Sequence, residues 1–420
     1  MTEQLLQFIW QFQYFNTGDL KTTAGEPLLI LQPGIHNTNQ GPDFLNAKIS
    51  CGETVLAGSI EVHINSSEWQ DHGHSADKNY DNVVLHVVWK NNKETGMHFP
   101  TLELYNRVSN LLLEKYANLL QAKSFIPCEE QIRTVEELTI ALWKERMLIE
   151  RLQEKAAYAE MLLQKNNHHW EEVFWQLLAK NFGIKINSDA FEAVAASVPL
   201  NILAKHKNQI HQTEALLMGQ AGLLDKNFTD EYPIMLQKEY MFLKKKYSLP
   251  GIHFRVHFLR MRPANFPTLR LSQLAALIQQ SNHLFSFIKD AENLKETEAK
   301  FNVTANDYWH CHYVFDEESG FKKKLLGRQM VQNIILNTVI PVLYAYGWYN
   351  NIEAYKTKAL RWAEQLAPEK NNITHGFEKL GVANKSAYES QALIQLKNKY
   401  CNKVRCLECA IGNKILKRNN

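Results

Sequence analysis

The stretch "GPDFLNAKISCGETVLAGSIEVHINSSEWQDHGH", residues 41–74, holds two runs of strand-forming residues on either side of the tight turn "CGE". In the second run, "TVLAGSIEVHI", side chains alternate between faces. Ile60, Val62 and Ile64 therefore share one side, and Glu61 and His63 share the other. The apolar set seeks a core, which leaves Glu61 and His63 unexplained by hydrophobic burial. Asp43 opens the preceding run, and a hairpin returning through the turn brings its carboxylate toward Glu61. Two carboxylates held together repel each other unless a divalent cation neutralises both. The pattern asks for a metal.

Outward from this hairpin, residues 3–15 place Leu5, Phe8, Ile9, Phe12 and Phe15 at helical spacing. "PLLILQPG", "NVVLHVVW" and "HFPTLELY" carry further strand signals, and "RVSNLLLEKYANLLQAK" reads as a helix. The expected fold over residues 1–127 is an α+β domain, with a mixed or antiparallel sheet flanked by helices. From about residue 135 the signal is almost wholly helical. "HHWEEVFWQLLAKNFG" ends in a Phe-Gly C-cap, and further helices are expected near 189–206, 210–222, 231–247, 271–288, 322–345 and 351–366. Two domains follow from this reading, 1–127 and a mainly helical 128–420.

At 420 residues and 45% hydrophobic composition the chain can bury real cores. Its start lacks a secretory pattern and no apolar run is long enough to span a membrane, so a cytoplasmic protein with no membrane partner is expected. Six cysteines are too few for a disulfide-built scaffold. Residues 1–127 hold 8 Lys and Arg against 13 Asp and Glu, a net charge of −5, whereas the remainder holds 39 against 31, or +8. An acidic part that holds a cation and a basic part that holds a polyanion would suit a nuclease. Ordinary surface variation accounts for such values equally well.

Pro42-Asp43 followed across a hairpin by Glu61-Val62-His63 resembles the active-site signature of the PD-(D/E)XK nucleases, with His63 where that family usually has lysine. The resemblance implies a restriction-endonuclease-like sheet. It also implies that Asp43 and Glu61 ligate Mg²⁺ or Mn²⁺, and that residue 63 activates or orients the attacking water. Histidine is a better base or metal ligand than lysine, but it brings no permanent charge to a phosphate. Glu3 on the first helix matches the additional carboxylate that some members carry. Downstream, His74, Asp77 and His86 are expected to support the site through hydrogen bonds, with Asp77 as a partner for His86; direct zinc ligation by the histidines is the alternative.

Two further segments carry chemistry. "FRVHFLRMRPANFPTLRLSQLA" interleaves Arg255, Arg260, Arg262 and Arg270 with aromatic residues, a composition suited to nucleic-acid phosphates and bases or to pairing with acidic side chains. The tail spaces Cys401, Cys406 and Cys409 as C-x4-C-x2-C. With Cys128 or Cys311 as a fourth thiolate it would hold zinc or an iron–sulfur cluster; otherwise the cysteines are simply buried. The landmarks "GPDFLNAKI", "GSIEVH", "SEWQDHGHSAD", "LRMRPANFPTLRLSQLA" and "YCNKVRCLECAIG" together resemble an uncharacterised bacterial family known only as a domain of unknown function. The functions expected are a metal-dependent nuclease, a non-catalytic nucleic-acid-binding or scaffold protein with a degenerate nuclease fold, or a zinc hydrolase. The sequence does not set the oligomeric state.

Overall fold

A computed structural model of the chain describes residues 1–37, 40–72, 77–94, 96–281 and 283–417. It divides into two compact units. The first comprises residues 1–143, 379–382 and 396–420, and the second comprises 144–378 and 383–395. The chain thus returns its C-terminal segment to the first unit, whereas the sequence pattern draws one line near residue 127 and leaves the tail with the helices.

The first unit is built on a mixed sheet of six strands: β1 Leu28–Gln32, β2 Ile35–His36, β3 Phe44–Cys51, β4 Thr54–Asn65, β5 Val83–Lys90 and β6 Thr101–Glu103. The order is β1-β3-β4-β5-β6, with β2 also paired to β3. The β3–β4 hairpin turns through Gly52, whose φ of +57° suits a residue without Cβ. β4 pairs in parallel with β5, and β5 with β6. Central strand β4 is buried on both faces from Gly58 to His63, which puts Glu61 and His63 inside the protein along with Ile60 and Val62. Gly58 lets β5 come close. A Cβ there would lie 2.3 Å from the carbonyl oxygen of Asn82 and 2.6 Å from Val84 Cγ1. Gly58→Ala is therefore expected to cost roughly 1–3 kcal/mol through overpacking, read as a lower denaturant midpoint with an unchanged slope.

Helix α1, Glu3–Gln11, begins at Thr2, whose hydroxyl accepts the Leu5 N–H at 3.2 Å. It buries Leu5, Leu6, Phe8, Ile9 and Trp10 and packs against β4. The helix stops before Phe12, which is exposed, so it is shorter than the apolar spacing suggests. Short helix α2, Glu68–Asp71, follows β4, and α3, Asn110–Gln121, follows the sheet.

The second unit is almost entirely helical. It opens with α4, Glu137–Lys165, most of which it contains, and continues through α5, Trp170–Phe182, to helices that bury Phe174, Phe191, Trp309 and Trp362. The helix expected near 189–206 is two helices, Ile184–Ser197 and Leu200–His206, because Pro199 breaks the run. The Phe-Gly cap is present as expected, with the Gly183 N–H donating to the Ala179 carbonyl at 3.1 Å. Gly183 has φ −68°, the left-handed residue is Ile184, and Gly183 is needed because a Cβ would meet the Asn187 carbonyl oxygen at 2.3 Å. Among the described residues one helix, Arg328–Tyr349, is long and apolar enough to cross a membrane, and 78% of its apolar window is buried inside the protein.

Candidate functional site

The β-bulge between Phe44 and Ala47, with Asn46 at φ +58°, bends the start of β3 and sets Asp43 beside β4. Each acidic side chain then bonds the other's strand. The Asp43 N–H donates to Glu61 Oε2 at 3.1 Å, and the Val62 N–H donates to Asp43 Oδ2 at 3.0 Å. Asp43 and Glu61 thus converge, as the hairpin pattern predicts. Glu61 is buried and Asp43 half-buried.

Helix α1 supplies the third acid. Glu3 and Gln7 lie one turn apart, and Gln7 Nε2 donates to Asp43 Oδ1 at 2.9 Å and to Glu3 Oε1 at 3.2 Å. One amide thereby ties two carboxylates together. The role of Gln7 was not foreseen, although its i, i+4 spacing from Glu3 is visible in the sequence.

Burial first, and the Glu3 charge next, push the Asp43 carboxyl up to about 7, against the pull of the Val62 N–H. Burial and then the Asp43 charge push Glu61 to about 9. Burial raises Glu3 as well, partly offset by His72. Near neutral pH the group cannot hold its full negative charge without a proton or a cation.

His63 links this acid group to the next strand. Its Nε2 lies 3.5 Å from Glu61 Oε1, and its Nδ1 lies 2.9 Å from His86 Nε2. The parallel register sets Glu61 opposite His86 and His63 opposite Val88. A hydrogen bond between the imidazoles requires one to donate, so a proton at one end of the Glu61–His63–His86 row fixes the tautomer of the other members. Trp69 braces the row, with its ring 5.4 Å from His86 and 4.8 Å from Phe99.

Asp77 lies elsewhere than expected. Its Oδ1 accepts from the Asn79 N–H and side-chain amide at 2.9 Å, capping the turn Lys78–Tyr80, while His86 Nε2 is paired with His63. A short Asx-type turn satisfies Asp77 locally. His74 lies outside the described residues.

Arg270 corrects another expectation. It sits on the helix Pro267–Gln280 and is buried, with Nη1 donating to Gln273 Oε1 at 2.9 Å and Nη2 to Asn265 Oδ1 at 2.5 Å. Burial lowers its pKa to about 10. The helix begins at Pro267, four residues earlier than expected, and this turns the side chain inward. Arg255, Arg260 and Arg262 are exposed on the preceding irregular segment.

Asp43 Oδ1, Glu61 Oε1 and Glu3 are the oxygens that could face a cation, with His63 Nε2 alongside. Among the described residues, no three His, Cys, Asp or Glu side chains already stand close enough to hold a metal ion. Magnesium needs only one or two carboxylates and keeps several waters, so the acidic pair fits its habits. Chemically, the arrangement can bind a divalent cation or share protons along a buried row.

No curated protein and no solved structure matches the chain. Residues 3–372 match the model of a family described as a protein of unknown function, DUF2851, and the chain belongs to that family.

Proposed function

We propose that the first unit binds Mg²⁺ or Mn²⁺ between Asp43 and Glu61 and hydrolyses phosphodiesters of a nucleic acid. The observation that carries this reading is the convergence of two carboxylates, Glu61 buried and Asp43 half-buried, each accepting a backbone N–H at the other's position or next to it; their desolvation and repulsion favour a neutralising cation. In this reading the cation polarises the phosphate and lowers the pKa of a bound water. His63 Nε2, beside Glu61, would receive a proton released there, with Nδ1 held by His86 Nε2. The test is incubation of the full chain with DNA and RNA, single- and double-stranded, plus Mg²⁺ or Mn²⁺. Cleavage that needs the metal supports the reading; cleavage that persists in chelator overturns it.

A second reading is supported by the hydrogen bonds that already occupy Asp43 and Glu61: a non-catalytic nucleic-acid-binding module that keeps the acid group as a structural brace. It predicts binding without metal uptake. The zinc-hydrolase reading has less support, because His63 Nδ1 and His86 Nε2 are spent on each other.

Under either leading reading, exposed Arg255, Arg260 and Arg262 contact phosphates, and Arg270 holds the helix. Arg260→Ala with Arg262→Ala is expected to weaken nucleic-acid binding about tenfold or more at low salt and to reduce the salt slope. Arg270→Ala should instead lower stability by roughly 1–3 kcal/mol by stranding its polar partners. Filter binding at several salt concentrations and chemical denaturation check the two arms.

A further inference from the structure

Cys128, after α3, and Cys401, Cys406 and Cys409 of the C-terminal segment all belong to the first unit, although most of the chain lies between them. All four are free thiols; Cys128, Cys406 and Cys409 are buried and Cys401 is half-buried. They lie near enough to feel one another's charge: Cys409 and Cys406 act on Cys128, and all three act on Cys401. Cys311, the other candidate for a fourth thiolate, belongs to the second unit.

The local backbone is arranged around sulfur. Val404, at φ +51°, reverses the chain between Cys401 and Cys406. The Cys409 N–H returns to the Cys406 carbonyl at 3.3 Å, and the terminal helix Ala410–Lys417 starts immediately after. Gly412 packs directly on that turn, since a Cβ there would lie 2.3 Å from the Cys406 carbonyl oxygen. Burial raises the Cys409 thiol above its ordinary value, and the neighbouring N–H groups of Gly412 and Ile411 and the Trp143 indole offset part of that rise. Donors aimed at a sulfur favour thiolate over thiol.

We propose that Cys128, Cys401, Cys406 and Cys409 form a tetrathiolate site for a thiophilic metal, held as one zinc ion or as an iron–sulfur cluster. The two-residue gap between Cys406 and Cys409 lets both sulfurs reach one centre, and a set of four thiolates without oxygen ligands selects this class of metal. No three such donors among the described residues already stand at single-ion distance, so the ligand draws the sulfurs inward or is itself larger than one ion. For zinc, four S–H protons pass to solvent as four Zn–S bonds form, with no electron transferred. The site would fasten the C-terminal segment to the segment after α3. It does not depend on the reading of Asp43 and Glu61.

The test uses full-length protein purified under reducing, oxygen-free conditions, with zinc, iron and acid-labile sulfide measured alongside visible absorption. Stoichiometric zinc in a colourless protein, or iron with sulfide and a broad visible band, supports the site and tells the two forms apart. Cys401→Ser and Cys409→Ser should lower metal content by about tenfold or more, whereas Cys51→Ser, Cys311→Ser and Glu61→Gln retain it. Should the cysteine variants fail to fold, the wild-type protein still decides. Metal release by a mercurial should coincide with reaction of four additional thiols. Protein that carries no metal and takes up none when offered zinc, or metal content unchanged in Cys409→Ser, overturns the proposal.

Discussion

Asp43→Ala and Glu61→Ala should each abolish metal-dependent cleavage of nucleic acid, lowering the rate on the order of 10³-fold, the equivalent of roughly 4 kcal/mol of transition-state stabilisation. Neither carboxylate can replace the other. Asp43 is oriented by Gln7 and the Val62 N–H, and Glu61 by the backbone N–H of Asp43; these donors survive truncation of the other carboxylate, so each variant removes one carboxylate and leaves its partner positioned. The same residues predict a pH effect that needs no substrate. Both folded carboxyl groups have pKa values raised above the ordinary carboxylate range, to about 7 and about 9, so the folded protein holds protons that the unfolded chain releases. Their contribution to stability is present in acid and is lost as pH rises from the ordinary carboxylate range through about 9. Metal-free Glu61→Gln should therefore melt above wild type near pH 9 and lose that advantage near pH 4, at about 2–4 °C per kcal/mol. Added Mg²⁺ should raise the melting temperature of wild type at the higher pH and leave the variant unmoved. Equal melting profiles for the two proteins across this range would contradict the proposed charge burial.

Trp69→Ala should destabilise the first unit by about 3–5 kcal/mol. The indole is 2% exposed and forms a small core with Val83 and Phe99, with Tyr80 and Met97 packed against it. Its ring lies 4.8 Å from Phe99, 5.4 Å from His86 and 6.0 Å from Tyr80, each in edge-to-face contact. Truncation leaves a cavity beside His86 and lets the His63–His86 pair reorient, so any activity should fall more than the remaining folded fraction explains. Trp69→Phe should recover a substantial part of both losses. Chemical denaturation with an activity assay on the folded population provides the check, and a stability loss below about 1 kcal/mol would show that neighbouring side chains refill the space.

Much of the first unit is legible in its sequence because its strands are locally consistent. Period-two alternation in 54–64 and the β-branched run at 83–89 mark β4 and β5, and the "CGE" turn fixes the hairpin between β3 and β4. The pairing of β4 with β5 in parallel, which brings His63 to His86, depends on a crossover and leaves no local signature. Alternation also says which residues share a face, but not how deeply a strand is buried. Glu61 and His63 therefore read as a pair on the face opposite the apolar set, and that face proves to be buried as well. Gln7 carries no signal of its role, because an amide on an amphipathic helix looks like ordinary surface. Composition cannot tell a phosphate-binding guanidinium from one spent, as that of Arg270 is, on Asn265 and Gln273. The gathering of Cys128 with a tail that starts its cysteines 273 residues downstream, at Cys401, rests on tertiary contacts that spacing alone suggests only through its two-residue gap.

The most direct test of the central claim is calorimetric titration of Mn²⁺ into the full chain near pH 8, repeated on Asp43→Asn and Glu61→Gln. Thiolate sites discriminate against this hard cation, so the cysteines should not obscure the result. The account predicts one ion bound per wild-type chain, with protons released on binding, and affinity reduced by about tenfold or more in each near-isosteric variant. Wild-type protein that binds no Mn²⁺ at millimolar concentration, or variants that bind it as tightly as wild type, would contradict it.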